Sequence, residues 1–305
     1  MPRFGCAPIA RGKLLWLAAT LLTTCVATRS AAEAPTFVLQ WGGPGAGTGK
    51  FVSPKAVAID LDGRVLVPDD SGRLQRFDAE GKLLDEWGGT DEFERLFTAP
   101  AAAASAPGGN VYVAAGIMIR EYDGNGETAG RWGAPQPRGI TVGPTGNVYV
   151  TDGQNHRILV FGADRTLLTR LGKAGSGVGE FADPAGIAID SKGNIYVVDS
   201  GNARVQKLDR DGKPLAAWGT SGSGPGQFDS PQGICLDRKG RLYVVDQGNN
   251  RVQQFDDEGK LLAQWGTQGA APGQFEGPTG IACDRQGNLY VADTGNHRIQ
   301  KFRAK

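Results

Sequence analysis

LLAQWGTQGAAPGQFEGPTGIACDRQGNLYVADTGNHRIQKF, residues 261–302, decides how the chain folds. Residues 214–255 repeat it as PLAAWGTSGSGPGQFDSPQGICLDRKGRLYVVDQGNNRVQQF. Each copy divides into four short apolar runs. In the last copy, strands a, b and c fall at 280–283, 289–292 and 298–302, and strand d, at 261–265, closes the copy before. Asp284-Arg285-Gln286-Gly287-Asn288 separates a from b, and Asp256-Asp257-Glu258-Gly259-Lys260 separates c from d. Such punctuation marks hairpins, because Gly supplies positive φ and Asp hydrogen-bonds its own turn. One copy therefore predicts one antiparallel four-stranded sheet. A lone sheet leaves an apolar face uncovered, and stacking copies in a ring covers both faces of each.

Trp41, Trp87, Trp132, Leu171, Trp218 and Trp265 mark the same place in successive copies, each followed by Gly. The distance from this mark to the Pro that opens strand a is thirteen in five copies and five in the third, Trp132 to Pro137. The spacing predicts an all-β, six-bladed β-propeller of four-stranded antiparallel blades, with the tryptophans packed in the seams. The sixth copy ends after strand c. Phe37-Val38-Leu39-Gln40-Trp41 matches Leu261-Leu262-Ala263-Gln264-Trp265, so the N-terminal strand is expected to complete the last blade and close the ring.

Residues 1–32 stand apart. Arg3, Arg11 and Lys13 precede an apolar run over 14–27, and Ser30-Ala31-Ala32 offers small residues for cleavage. This is the layout of a secretory signal peptide, too short for a membrane span. The propeller domain is then 33–305, exported to the periplasm or the extracellular space. A lipid anchor at Cys25 is disfavoured because Thr24 stands where a lipobox has Gly or Ala. The whole chain has 33 basic and 32 acidic residues. Loss of Arg3, Arg11, Lys13 and Arg29 with no acid leaves 29 against 32, which disfavours a nucleic-acid partner. Cys235 aligns with Ala282 and Cys283 with Leu236, on opposite faces of strand a in neighbouring blades. Two buried, unpaired thiols are expected.

Gly-Gln-Phe-x-x-Pro-x-Gly-Ile (273–281), Gly-Asn-Leu-Tyr-Val-Ala-Asp (287–293) and Gly-Asn-His-Arg-Ile (295–299) resemble the NHL repeat. The resemblance covers essentially the whole of 33–305 and implies the same six-bladed propeller. Trp-Gly replaces the Trp-Asp of WD repeats. Asp152 and Arg157, Asp199 and Arg204, Asp246 and Arg251, and Asp293 and Arg298 flank the loop from b to c, where a carboxylate and guanidinium can pair and clamp it. His156 and His297 occupy the repeat's Asn-His-Arg phrase in blades 3 and 6, and no third His exists to build a zinc site. No metal-ligand set is assigned.

Function is sought where one copy departs from its siblings. Blade 2 has Ala115 and Met118 in place of the Asp and Arg, and blade 1 has a shortened loop, Asp69-Asp70-Ser71-Gly72-Arg73. The connection into blade 3 has lost eight residues, and the one into blade 2 is charged, Asp91-Glu92-Phe93-Glu94-Arg95. These changes fall in one sector of one face, a candidate notch with Asp91, Glu92, Arg95 and Met118 as its residues. The residue after each opening Pro stands at the channel mouth: Lys55, Ala101, Arg138, Ala185, Gln232 and Thr279. Lys55, Arg138, Gln232 and Thr279 are the candidate ligand-binding residues, and two cations there suit an anionic ligand.

No acid, base and nucleophile converge in the sequence, so no catalytic residue is assigned. The first reading is an exported binding scaffold for a protein, peptide or glycan. The alternative is a metal-dependent propeller enzyme, similar to peptidyl-amidoglycolate lyases or gluconolactonases. Histidines are too few for the lyase pattern, and no cofactor is assigned, although the many loop Asp and Asn leave room for calcium.

Overall fold

Strand b of the last copy shows why these short runs form a ring. Leu289 and Val291 point to one side and Tyr290 and Ala292 to the other, and all four are buried. A period of two over a continuous apolar run means a strand covered on both faces. Leu289 and Val291 pack against Tyr243, Val245 and Val252 of the preceding blade, whereas Tyr290 and Ala292 pack against Val57, Val65 and Val67 of the next.

The computed structural model describes residues 1–2, 33–87 and 100–305. Residues 3–32 of the expected leader and the charged connection containing Asp91, Glu92 and Arg95 lie outside the described residues. Strands run a to d from the channel outward. Blade 1 is Ala58–Ile59, Val65–Asp69, Arg73–Phe77 and Leu83–Trp87. Blade 2 is Pro100–Ser105, Val111–Ala115, Met118–Tyr122 and Thr128–Gly133. Blade 3 is Pro137–Val142, Val148–Asp152, Arg157–Phe161 and Leu167–Leu171. Blade 4 is Pro184–Ile189, Ile195–Asp199, Arg204–Leu208 and Pro214–Trp218. Blade 5 is Pro231–Leu236, Leu242–Asp246, Arg251–Phe255 and Leu261–Trp265.

Blade 6 takes Ile281–Cys283, Asn288–Asp293 and Arg298–Arg303 from the C-terminal end of the chain and Thr36–Gly42 from the other end. Leu39 stands opposite Lys301, Gln40 opposite Gln300 and Trp41 opposite Ile299, with a bulge at Val38. The N-terminal strand closes the ring, as the sequence match between residues 37–41 and 261–265 predicts. The Ala304 N–H donates to the Gly287 carbonyl at 2.9 Å, which sets the end of the chain beside the a–b turn of its own blade.

Among the described residues the core is six clusters, one per interface between blades. Each of the six marks belongs to one cluster: Trp87 between blades 1 and 2, Trp132 between 2 and 3, Leu171, Trp218 and Trp265 at the following seams, and Trp41 between 6 and 1. The indole of Trp87 lies over the c–d turn of blade 2 so closely that a Cβ on Gly126 would come within 2.4 Å of it. Gly126 also has φ +89, so both space and backbone require glycine.

The cysteines correct the expectation of free thiols. Cys235 and Cys283 form a disulfide, with their Cα atoms 5.9 Å apart. They do occupy opposite faces of their own sheets. In a ring, however, the trailing face of one blade packs on the leading face of the next, so opposite faces of adjacent blades are the two that meet.

Candidate functional site

The loops from b to c and from d to a emerge together on one face, tied there by the repeat's Asp. Asp246 is fully buried and accepts from the Asp229 N–H (2.8 Å), Asn249 Nδ2 (2.9 Å), Arg251 Nε (2.7 Å) and Gln253 Nε2 (3.1 Å). Arg251 carries the staple onward to the carbonyls of Gly224 and Gln227. Asp199 and Asp293 make equivalent sets in blades 4 and 6. Asp152 holds Arg157 at 2.9 Å, and in blade 1, one residue shorter in the loop, the Asp69–Arg73 pair opens to 3.8 Å. The histidines serve the same framework: His156 Nδ1 accepts from the Asp183 N–H at 3.0 Å and His297 Nδ1 from the Ser53 N–H at 3.2 Å.

On this face a cavity of about 610 Å³ opens along the propeller axis. All six post-proline residues line it: Lys55, Ala101, Arg138, Ala185, Gln232 and Thr279. Below them the wall is backbone, Gly139, Gly186, Gly233 and Gly280 with Ala56 and Ala102. A Cβ on Gly186 would come within 2.5 Å of the Gln232 carbonyl, so adjacent a strands approach this closely only because glycine stands there. Deeper still, Val57, Ala103, Ile140, Ile187, Ile234 and Ile281 make an aliphatic floor.

The rim cations are not free. Lys55 Nζ lies 3.0 Å from Asp70 Oδ2, and Arg138 Nη1 lies 3.4 Å from Asp183 Oδ2. Arg138 Nη2 donates to Gln232 Oε1 at 3.2 Å, reaching two blades along over Ala185. Thr279 Oγ1 donates to the Lys55 carbonyl at 2.7 Å. The two carboxylates face their cations from the loops and are not part of the cavity lining, which contains no Asp or Glu among the described residues. Among the described residues no group of three His, Cys, Asp or Glu stands close enough to hold a metal ion.

Of the notch residues, Met118 is described. It opens strand c of blade 2 opposite Ala115 and Gly133, half-buried, and does not line the cavity. Its neighbours do. Loss of the Asp and Arg leaves a two-residue hairpin tip, Gly116-Ile117, with Gly116 at φ +59 and Ile117 at 68 % exposure on the cavity mouth. Gln136 and Gln247 also line the mouth. The sequence signal for Ile117 was available, since an apolar residue replaces the polar loop of every sibling. Gln247 carries no such signal.

Fold and site together define a six-bladed β-propeller with a lined cavity on one end of its axis. The NHL repeat model matches residues 135–161, 181–208, 228–255 and 275–302, and the chain is an NHL-repeat propeller. The matched copies are blades 3 to 6. Blades 1 and 2 are the pair with a shortened loop and a lost clamp. Protein brain tumor of Drosophila melanogaster is 26 % identical over 132 residues, 41 % of this chain, which spans 13 % of that protein's length. Virginiamycin B lyase from Staphylococcus aureus superposes with a TM-score of 0.60 at 14 % identity, covering 88 % of this chain and 99 % of that one. An auxiliary nutrient binding protein from Bacteroides thetaiotaomicron gives 0.64 at 12 % identity, covering 89 % and 75 %. At such identities the likeness is one of fold.

Proposed function

We propose that this protein is an exported binding propeller that takes a ligand or partner on its loop face, with the axial cavity at the centre of the contact. The observation that carries the reading is the layering of that cavity among the described residues, a polar rim over a glycine wall and an aliphatic floor. Binding sites are commonly built this way, as concave apolar surfaces with a few placed polar groups. The interblade disulfide supports an oxidising compartment, in keeping with the leader expected over 1–32. The nutrient binding propeller of similar fold supports the same reading, and the lyase of similar fold keeps the enzyme as its competitor.

Peptide and glycan arrays probed with the wild-type domain and with Ala101→Trp test the proposal. Ala101 is half-exposed at the rim, so an indole there would fill the mouth while leaving the interfaces between blades intact. Array ligands that bind the wild type and not the variant would support the cavity. Stoichiometric zinc or calcium in the purified protein, together with turnover of a lactone or amidated substrate, would replace it with the enzyme reading.

A further inference from the structure

The cavity is lopsided in its chemistry. On blade 2 its wall is Ala101, Ala102, Ala103, Gly116 and Ile117, with no polar side chain. Among the described residues the flanking blades supply the only charged side chains of the lining, Lys55 on blade 1 and Arg138 on blade 3, and no described acid lines the cavity with them. Their carboxylate partners, Asp70 and Asp183, are not among the residues that line the cavity. The described lining therefore places two cationic side chains, each paired with a loop carboxylate, beside an apolar wall and above an aliphatic floor.

Arg138 is the better anchor of the two. Its pairing with Asp183 is a surface one, at 37 % and 45 % side-chain exposure and 3.4 Å, and such pairs contribute little. Its second edge meets Gln232 Oε1 at 3.2 Å. An amide carries donors as well as an acceptor, and Gln232 Nε2 is held by no more than a 3.4 Å bond to the Ser230 carbonyl. If a carboxylate displaces Oε1 from Arg138, rotation of the Gln232 amide presents an N–H to it. Ala185, between the two on blade 4, is buried and adds only a methyl group to the lining.

We infer, on the premise that the cavity is a binding site, that it takes a carboxylate carried on a short apolar body. The carboxylate sits on Arg138 with Gln232 as second donor, and the body lies against Ile117 and the blade 2 alanines with its end on the aliphatic floor. Such a group is offered by a free small acid or by the last residue of a peptide chain with an apolar side chain.

Calorimetric titration of the whole 33–305 domain uses four probes: 3-phenylpropanoate, 3-phenylpropanamide, and the peptide acetyl-Gly-Gly-Leu as free acid and as C-terminal amide. At least one acid should bind roughly tenfold more tightly than its amide, the difference expected of one charge-assisted contact. The small acid alone, or the peptide acid as well, distinguishes the two sources. Arg138→Gln should remove the acid's advantage and Arg138→Lys restore part of it, while Ile117→Ser should weaken acid and amide alike; unchanged thermal unfolding certifies each variant. Equal binding of acid and amide, an advantage that survives Arg138→Gln, or no saturable binding by any probe overturns the inference. In those cases array ligands still blocked by Ala101→Trp would leave the binding propeller standing, and array ligands indifferent to Ala101→Trp would remove both.

Discussion

Gln40 and Arg298, 258 positions apart in sequence, share a hydrogen bond of 2.8 Å between Arg298 Nη1 and Gln40 Oε1. It lies on the seam where the first strand of the domain completes the last blade. Phe37 meets Phe302 edge-on at 5.9 Å and Trp41 packs between Tyr290 and Phe77, so the seam joins two interfaces as well as one sheet. Deleting Thr36–Gly42 opens the edge of blade 6 and strips its covering of the cluster shared with blade 1. The expected outcome is loss of the single cooperative unfolding transition in urea, followed by circular dichroism. Gln40→Ala by contrast should cost about 1 kcal/mol, the net worth of one hydrogen bond.

The disulfide Cys235–Cys283 ties strand a of blade 5 to strand a of blade 6 across 48 positions of sequence. Constraining a loop of that length in the unfolded chain is worth about 4 kcal/mol in the chain-entropy account. Reduction, or the double substitution of Cys235 and Cys283 by Ala, should lower the unfolding midpoint with little change in the far-ultraviolet spectrum. An identical midpoint with and without reductant would refute the bridge.

Asp246 stands at the centre of four hydrogen bonds with no exposure to solvent. Asp246→Ala leaves the Arg251 guanidinium buried without its partner, a loss of about 3–5 kcal/mol. Blade 2 already has Ala115 at this position and closes its hairpin with Gly116 instead. Placing Asp at 115 alone should therefore destabilise, since Met118 provides no cation. Urea midpoints of the two variants check both signs.

Gly126 and Gly240 separate two reasons for glycine. Both have positive φ, +89 and +76, but a Cβ at 240 meets nothing within 4 Å whereas one at 126 meets Trp87. Gly240→Ala should cost about 1–2 kcal/mol from the backbone alone. Gly126→Ala should cost about 1–3 kcal/mol more, the usual penalty of overpacking. Equal losses would mean that Trp87 moves aside freely.

The propeller was legible because its signals repeat: a Trp or Leu wedge, an opening Pro and an Asp-Gly turn agree in copy after copy, and strand d of blade 5 falls at Leu261–Trp265 as the pattern requires. The closing strand was legible because residues 37–41 copy 261–265. Cys235 and Cys283 were misread because faces were compared within a single sheet, whereas packing between sheets decides which atoms meet. At the rim, the post-proline positions were readable from spacing. The pairing of Lys55 with Asp70 and of Arg138 with Asp183 was not, because each partner comes from a loop whose path depends on backbone turns such as Asp183 at φ +47. The tip residue Ile117 was passed over in favour of Met118, one position along.

Thr36 stands opposite Arg303, and Ala304 is bonded to the a–b turn at Gly287. Both ends of the toroid thus leave from the side away from Arg138 and Ile117. A bead, a fusion partner or a chip attached through either end would display the mouth outward, and a tether there could be lengthened or exchanged without obstructing whatever approaches it.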